Sequence, residues 1–388
     1  MSNVKSIDKI LSQAVESKAM PGVVAVAATD KGVLYEGAFG KRELGTEASM
    51  TLDTVVWIAS MTKAITATAV MQLVERGKLS LERPASDVVP ELAATKVLEG
   101  FDSAGKPRLR APKRPITLRH LLTHTAGFGY EIWVPAIAQY QTATGTPGIT
   151  TCTNAALTTP LMFDPGDRWE YGINIDWAGK MVEAVSGQKL DRYFQENIFG
   201  PLGMKDTSFK ISPSQRARLA TVHQRGEGGA LAPIQFEIPQ DPEFLMGGGG
   251  LYGTAVDYLT FAQMILQDGG FKGAQVLSPE TVALMSQNHI GTLEVGVFRT
   301  AMPALSNDIE LFPGMSKKWG LSFLINTQHA PTGRSAGSLA WAGLANTYFW
   351  IDRAKRVCGV FLSQVFPFYD HTAIDLLGKF ETEVYRAL

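Results

Sequence analysis

The chain is poor in cysteine. Only Cys152 and Cys358 stand among its 388 residues, so a scaffold stapled by several disulfides is excluded. The two lie far apart and form no Cys-x-x-Cys pair, which removes zinc-ribbon and thioredoxin-like readings. An excess of charge of either sign is lacking too. The 36 Lys+Arg and 37 Asp+Glu leave a formal net charge of −1, without the basic surplus of a general nucleic-acid binder. No apolar run reaches the length of about eighteen residues that a membrane span needs. Nucleic acid and membrane are therefore not expected partners. The opening Met1-Ser-Asn-Val-Lys-Ser-Ile-Asp8 has no apolar core of a secretory leader. The expected location is the cytoplasm, although a secreted form with its leader removed would read the same. Internal repeats and low-complexity tracts are also missing.

What is present is an ordinary globular balance, 45% hydrophobic and 19% charged residues, which excludes disorder. The length suits about two to three domain-sized units. It allows a large core without metals or disulfides. Apolar periodicity predicts a helix over 6–18, with Ile7, Ile10, Leu11, Ala14 and Val15 on one side. A hairpin follows over Val23–Ala28 and Gly32–Phe39, then a short apolar segment over 54–58. A long apolar helix is expected from Ser60 to Arg76, with Gly77 closing it.

The middle of the chain mixes helical stretches (118–124, 176–186, 191–199, 255–267) with Gly/Pro/Thr-rich loops. The loops over 140–160 and 223–250 exceed the usual connection length and are candidate walls of a site. Strand-like runs return at 319–327, 338–342, 347–352 and 357–364, before a last helix over 372–385. The expected fold class is α/β of the α+β type. One antiparallel sheet is built from both termini and flanked by helices, giving a discontinuous unit of residues 1–85 and 287–388. Residues 86–286 form an inserted, mainly helical unit.

Several motifs compete for the chemistry. Ser60-Met-Thr-Lys63 puts a hydroxyl and an amine one helical turn apart on one face. The lysine can take the serine proton if burial keeps it neutral enough. The Ser-x-x-Lys spacing occurs five times, at Ser2, Ser6, Ser60, Ser103 and Ser186. Only Ser60 opens a long apolar helix after a β-type run, and a plain N-cap serine is the bland reading.

Gly333-Arg-Ser335-Ala-Gly337 matches a nucleophile elbow that Asp352 and His371 could complete. It lacks the strand before and helix after that an elbow needs, and a hairpin loop explains it. Gly248-Gly-Gly250-Leu-Tyr-Gly253 has the glycine spacing of a dinucleotide site without the preceding strand. A turn into the following helix explains it better. His120 and His124 have metal-ligand spacing but no third ligand nearby, and they suit a helix C-terminus equally.

Taken together and in order, Ser60-Met-Thr-Lys63, Leu121-Leu-Thr-His-Thr-Ala-Gly127, Tyr171, Gly247-Gly-Gly-Gly-Leu251 and Trp341-Ala-Gly343 resemble the serine β-lactamase and penicillin-binding-protein superfamily. Within it, the chain looks most like the family VIII carboxylesterases, relatives of class C β-lactamases. The resemblance spans nearly the whole chain. It implies Ser60 as nucleophile, with Lys63 and Tyr171 sharing the proton work, and leaves open which removes the serine proton. It implies an oxyanion hole from the backbone N–H groups of Ser60 and Leu344, next to the Trp341-Ala-Gly343 motif.

Substrate contacts are expected from Trp341, Gly343 and Ile173, and from an aromatic wall of Tyr130 and Trp133, with Phe128 beside them. Core packing is an equal reading for these aromatics. Two departures matter. The second motif has Ile173 where the lactamases have asparagine, with Asn174 one residue late. No Lys-Thr-Gly exists, and Trp341 stands in place of the lysine. Both favour neutral apolar esters over anionic lactams. The expected activity is hydrolysis of short-chain acyl esters through an acyl-enzyme, with weak β-lactam hydrolysis as a side activity and without metal or cofactor. Acyl transfer to an alcohol, a β-lactamase or D,D-peptidase, and a non-catalytic binder are the alternatives. The oligomeric state is not legible.

Overall fold

The computed structural model describes residues 2–388. A seven-stranded sheet organises it. Its strands are β1 (Gly22–Thr29), β2 (Gly32–Gly40), β3 (Lys317–Trp319), β4 (Leu324–Asn326), β5 (Leu339–Gly343), β6 (Thr347–Asp352) and β7 (Val357–Leu362). They lie in the order β3-β4-β5-β6-β7-β1-β2, every pair antiparallel. The two ends of the chain meet at the β1–β7 pairing, where Val26 faces Val360. The expected sheet from both termini is present. The run read as one strand over 319–327 is split into β3 and β4. At the break Ser322 takes φ +70° and gives its N–H to Leu122 O, and Leu321 N–H goes to Met285 O.

Six helices position the site: α1 (Ser2–Glu16), α2 (Thr62–Glu75), α3 (Leu118–Leu122), α4 (Asn174–Ser186), α5 (Ala255–Leu266) and α6 (His371–Arg386). Helices α1 and α6 pack together, with Phe380 of α6 against Trp350 of β6. Helix α5 lies on the other face, where Tyr258 meets Phe349. Covered on both faces, β1 is apolar from Val23 to Ala28, and these residues are all buried. Edge strand β2 is far more exposed, as a single covered face dictates. Helix α5 thus packs on the sheet although it falls within the stretch 86–286.

Helix α2 is buried from Thr62 to Leu73. A helix apolar on all sides belongs inside. Its small residues let α4 approach closely, and this contact places Lys63 beside Asp176 and Tyr171. Among the described residues, no helix is long and apolar enough to cross a membrane.

Candidate active site

Ser60 sits in a tight 3-10 turn, Ala59–Met61, at the entrance to α2. Three segments hold that turn. Ile58 N–H donates to Leu251 O at 3.1 Å, Thr347 Oγ1 donates to Ile58 O at 3.2 Å, and Tyr258 OH donates to Met61 O at 2.9 Å. Ala59 adopts φ +46°. A non-glycine residue there costs on the order of 1 kcal/mol, and this bonding maintains it. Gly343 explains how close β5 comes: a Cβ on it would stand 2.3 Å from both Ile58 O and Thr347 Oγ1. Leu344, the next residue, therefore lines the same cavity as Ser60.

Lys63 is fully buried. Its Nζ donates to Ser60 Oγ at 3.0 Å, to Tyr130 OH at 3.1 Å and to Gly248 O at 2.6 Å. Burial pulls its pKa down to about 7, against the opposing pull of the Asp176 charge. Tyr171 lines the same cavity as Ser60 and receives the Trp341 Nε1–H at 3.0 Å. Burial holds its phenol well above the usual range, and the neighbouring Ser60 and Trp341 only partly offset this. Lys63 Nζ lies 4.7 Å from the centroid of the Tyr171 ring. The structure thus brings Ser60, Lys63 and Tyr171 together.

Sequence reasoning missed two participants. Asp176, fully buried on α4, accepts the Gly248 N–H at 2.9 Å, while Gly248 O accepts from Lys63. Its carboxyl is pushed up by burial and pulled back by the Lys63 charge. A Cβ on Gly248 would stand 2.5 Å from Asp176 Oδ2, so the glycine run exists for close approach. The available signal was an acid inside the apolar run Ile175–Ala178. Tyr130 was read as a wall and is also a direct neighbour of the Lys63 amine.

The cavity of about 90 Å³ is lined by Ser60, Tyr130, Trp133, Tyr171, Phe236 and Leu344, among others. Ile149 and Thr150 come from the first long loop, and Phe236, Met246, Gly248 and Gly249 from the second. Both loops form walls, as their length suggested. Three expected substrate contacts do not line it. Ile173 is buried at the entrance to α4. Gly343 is pressed against the Ser60 turn. Trp341 stands behind Tyr171, its ring packed against Tyr171 at 4.9 Å and Trp319 at 4.6 Å between centroids. Phe128 is fully buried and stacks on Trp177.

The remaining motifs have other tasks. His120 Nδ1 accepts the Thr117 N–H in a capping box. His124 Nδ1 accepts from Gly172 N–H at 3.4 Å and pairs with Asn174 Nδ2 at 2.9 Å, which anchors the segment carrying Tyr171. Asn174 is thereby turned away from the cavity. Ser335 is buried in a turn, its N–H bonded to Asp352 Oδ2 at 2.8 Å. Asp352 also accepts from Tyr385 OH, so the elbow reading has no support.

The Beta-lactamase family model matches residues 7–380. Among curated proteins, the chain is 33% identical to a monacolin J acid methylbutanoyltransferase of Aspergillus terreus, over 96% of this chain and 93% of that protein. It is 32% identical to a lovastatin esterase of Penicillium rubens, over 98% of both. Among solved structures, unliganded simvastatin synthase (LovD) from Aspergillus terreus superposes with a TM-score of 0.85 at 32% identity, covering 99% of this chain and 98% of that one. With the antiparallel sheet, the helices around it and this span of similarity, the chain belongs to the β-lactamase family and has its serine β-lactamase-like fold.

Proposed function

We propose that the chain is a serine carboxylesterase that cleaves short-chain acyl esters through an acyl-enzyme on Ser60. The observation that carries this reading is the buried Lys63 amine, 3.0 Å from Ser60 Oγ and pulled down to about 7. At neutral pH much of it is unprotonated and able to take the Ser60 proton as the oxygen attacks the ester carbonyl. The N–H groups of Ser60 and Leu344 receive the developing oxyanion. Such fixed donors are worth roughly 3–4 kcal/mol of barrier each.

Tyr171, held protonated by burial, gives its proton to the leaving alkoxide, which is the stronger base. The Lys63 ammonium then returns the Ser60 proton to the phenolate, so the proton balance closes. Water repeats the sequence on the acyl-enzyme. The small cavity supports short acyl groups.

A second reading is transfer of the acyl group to an alcohol. The apolar, aromatic lining, which disfavours water, and the relative named a methylbutanoyltransferase support it. Lactam hydrolysis is less favoured, since Asn174 is tied to His124 and no Lys-Thr-Gly exists.

The test is initial rates on a short-chain p-nitrophenyl ester and a chromogenic cephalosporin, for wild type, Ser60→Ala and Ser335→Ala. Ester turnover lost only in Ser60→Ala is the expected result. Loss only in Ser335→Ala, or dominant cephalosporin turnover, overturns the proposal. Adding a primary alcohol and weighing the new ester against the free acid separates hydrolysis from transfer.

A further inference from the structure

The acyl-enzyme cavity contains one charged side chain. Glu131 lines it together with Ser60, flanked by Tyr130, Trp133 and Thr150. Among the described residues Glu131 has no ion pair. It is half-buried, and its carboxyl is pushed up by burial, against hydrogen bonds from its own backbone and from Gln141. Both of those partners are neutral. A cost in desolvation without a cation to offset it is unusual for an acid. A place in the wall of the Ser60 cavity gives it a use.

Gly148, next to the lining residue Ile149, leaves room for the carboxylate: a Cβ there would stand 2.8 Å from Glu131 Oε1. No arginine, lysine or histidine lines the cavity to receive an anion. Lys63 reaches only its inner end, where its amine is engaged by three partners.

We propose that Glu131 sets the charge preference of this site, so that it favours esters carrying an ammonium group and turns away those carrying a carboxylate. The inference rests on the acyl-ester reading above and names its substrate class. It also separates this chain from the relative whose named acceptor is an acid.

Three acetate esters of similar size provide the test: one of a trimethylammonio alcohol, one of its uncharged tert-butyl isostere and one of a hydroxy acid. In wild type, kcat/KM is expected to fall by about tenfold or more at each step from cation to neutral to anion. In Glu131→Gln the cation-to-neutral ratio is expected to collapse towards one, with circular dichroism confirming the fold. Equal ratios in the two enzymes, or an anion turned over as well as the cation, overturns the proposal.

A binding arm does not depend on turnover. Quenching of tryptophan fluorescence (Trp57 and Trp133 line the cavity) by the free ammonium alcohol is compared with its uncharged isostere in Ser60→Ala and in Ser60→Ala/Glu131→Gln. Preference for the cation that disappears with Glu131 supports the inference even if the esterase reading fails. Absence of any preference refutes it even if the esterase reading holds.

Discussion

Trp341→Phe isolates one hydrogen bond at the centre of the proposed mechanism. The indole N–H donates to Tyr171 OH at 3.0 Å inside a buried aromatic cluster. In the ground state this is a bond to a neutral phenol, worth roughly 0.5–1.5 kcal/mol. As Tyr171 releases its proton, the same bond is made to a developing phenolate and is worth roughly 1.5–3 kcal/mol. The difference, about 1–2 kcal/mol, belongs to the transition state alone, and its loss lowers kcat/KM about 5- to 30-fold.

The assay is kcat/KM, which reports acylation, on an alkyl ester and a p-nitrophenyl ester of the same acid. The alkoxide needs a proton to leave and the nitrophenolate does not, so the loss should fall mainly on the alkyl ester. Trp319→Phe is the control. Trp319 packs on Trp341, but its N–H serves Leu122 O, so it perturbs the packing and leaves the Tyr171 bond in place. Equal losses on both esters, or an equal loss in the control, would refute the assignment of Tyr171 as proton donor.

Acidity and stability offer further checks. Because the proposed mechanism makes the unprotonated Lys63 amine the active form and burial lowers its pKa to about 7, kcat/KM should climb with rising pH through neutrality. It should then level off, since Tyr171 is held far above the usual phenol range; a rate that falls across the same interval contradicts the role of Lys63. Asp176→Asn removes the charge that props the lysine up, so the rising limb should move to lower pH. An unmoved limb would break the proposed coupling. Arg334 and Glu381 form a buried ion pair, with Arg334 Nε bonded to Glu381 Oε1 at 2.9 Å. Glu381→Ala strands the guanidinium and should cost about 3–5 kcal/mol, read as a fall of several degrees in Tm by calorimetry. Arg334→Met in addition should recover much of it, and a single variant as stable as wild type would show the pair to be dispensable.

The parts of the molecule legible in the sequence were those with local signatures. Strand β6 was read with its observed bounds because Thr347–Asp352 is apolar, β-rich and closed by turns. Ser60 and Lys63 were visible because one helical turn carries both. Tyr171 emerged through the order of several motifs. What escaped depends on distant partners. The break between β3 and β4 is made by Met285 and Leu122, which no local pattern announces. The Gly248 carbonyl that holds Lys63 is a backbone atom without a residue signature, and Asp176 reads as an ordinary helix charge until α2 packs against α4. Trp341 was recognised as part of a motif but expected at the substrate rather than behind Tyr171, because strand alternation alone does not say which neighbour fills the space in front.

The pairing of β1 with β7 also has a consequence for the order of events at birth of the chain. During synthesis the β1–β2 hairpin and the Ser60 turn emerge first, and the strand that completes β1 and the Gly343–Leu344 segment beside Ser60 follow only after the long intervening stretch. Until then β1 has an open, apolar edge, and the nascent protein is exposed to misassociation while the intervening stretch is made. The same delay acts as a safeguard. In the proposed mechanism the N–H pair of Ser60 and Leu344 is incomplete until folding is finished, so a half-made chain has no means of attacking the esters around it.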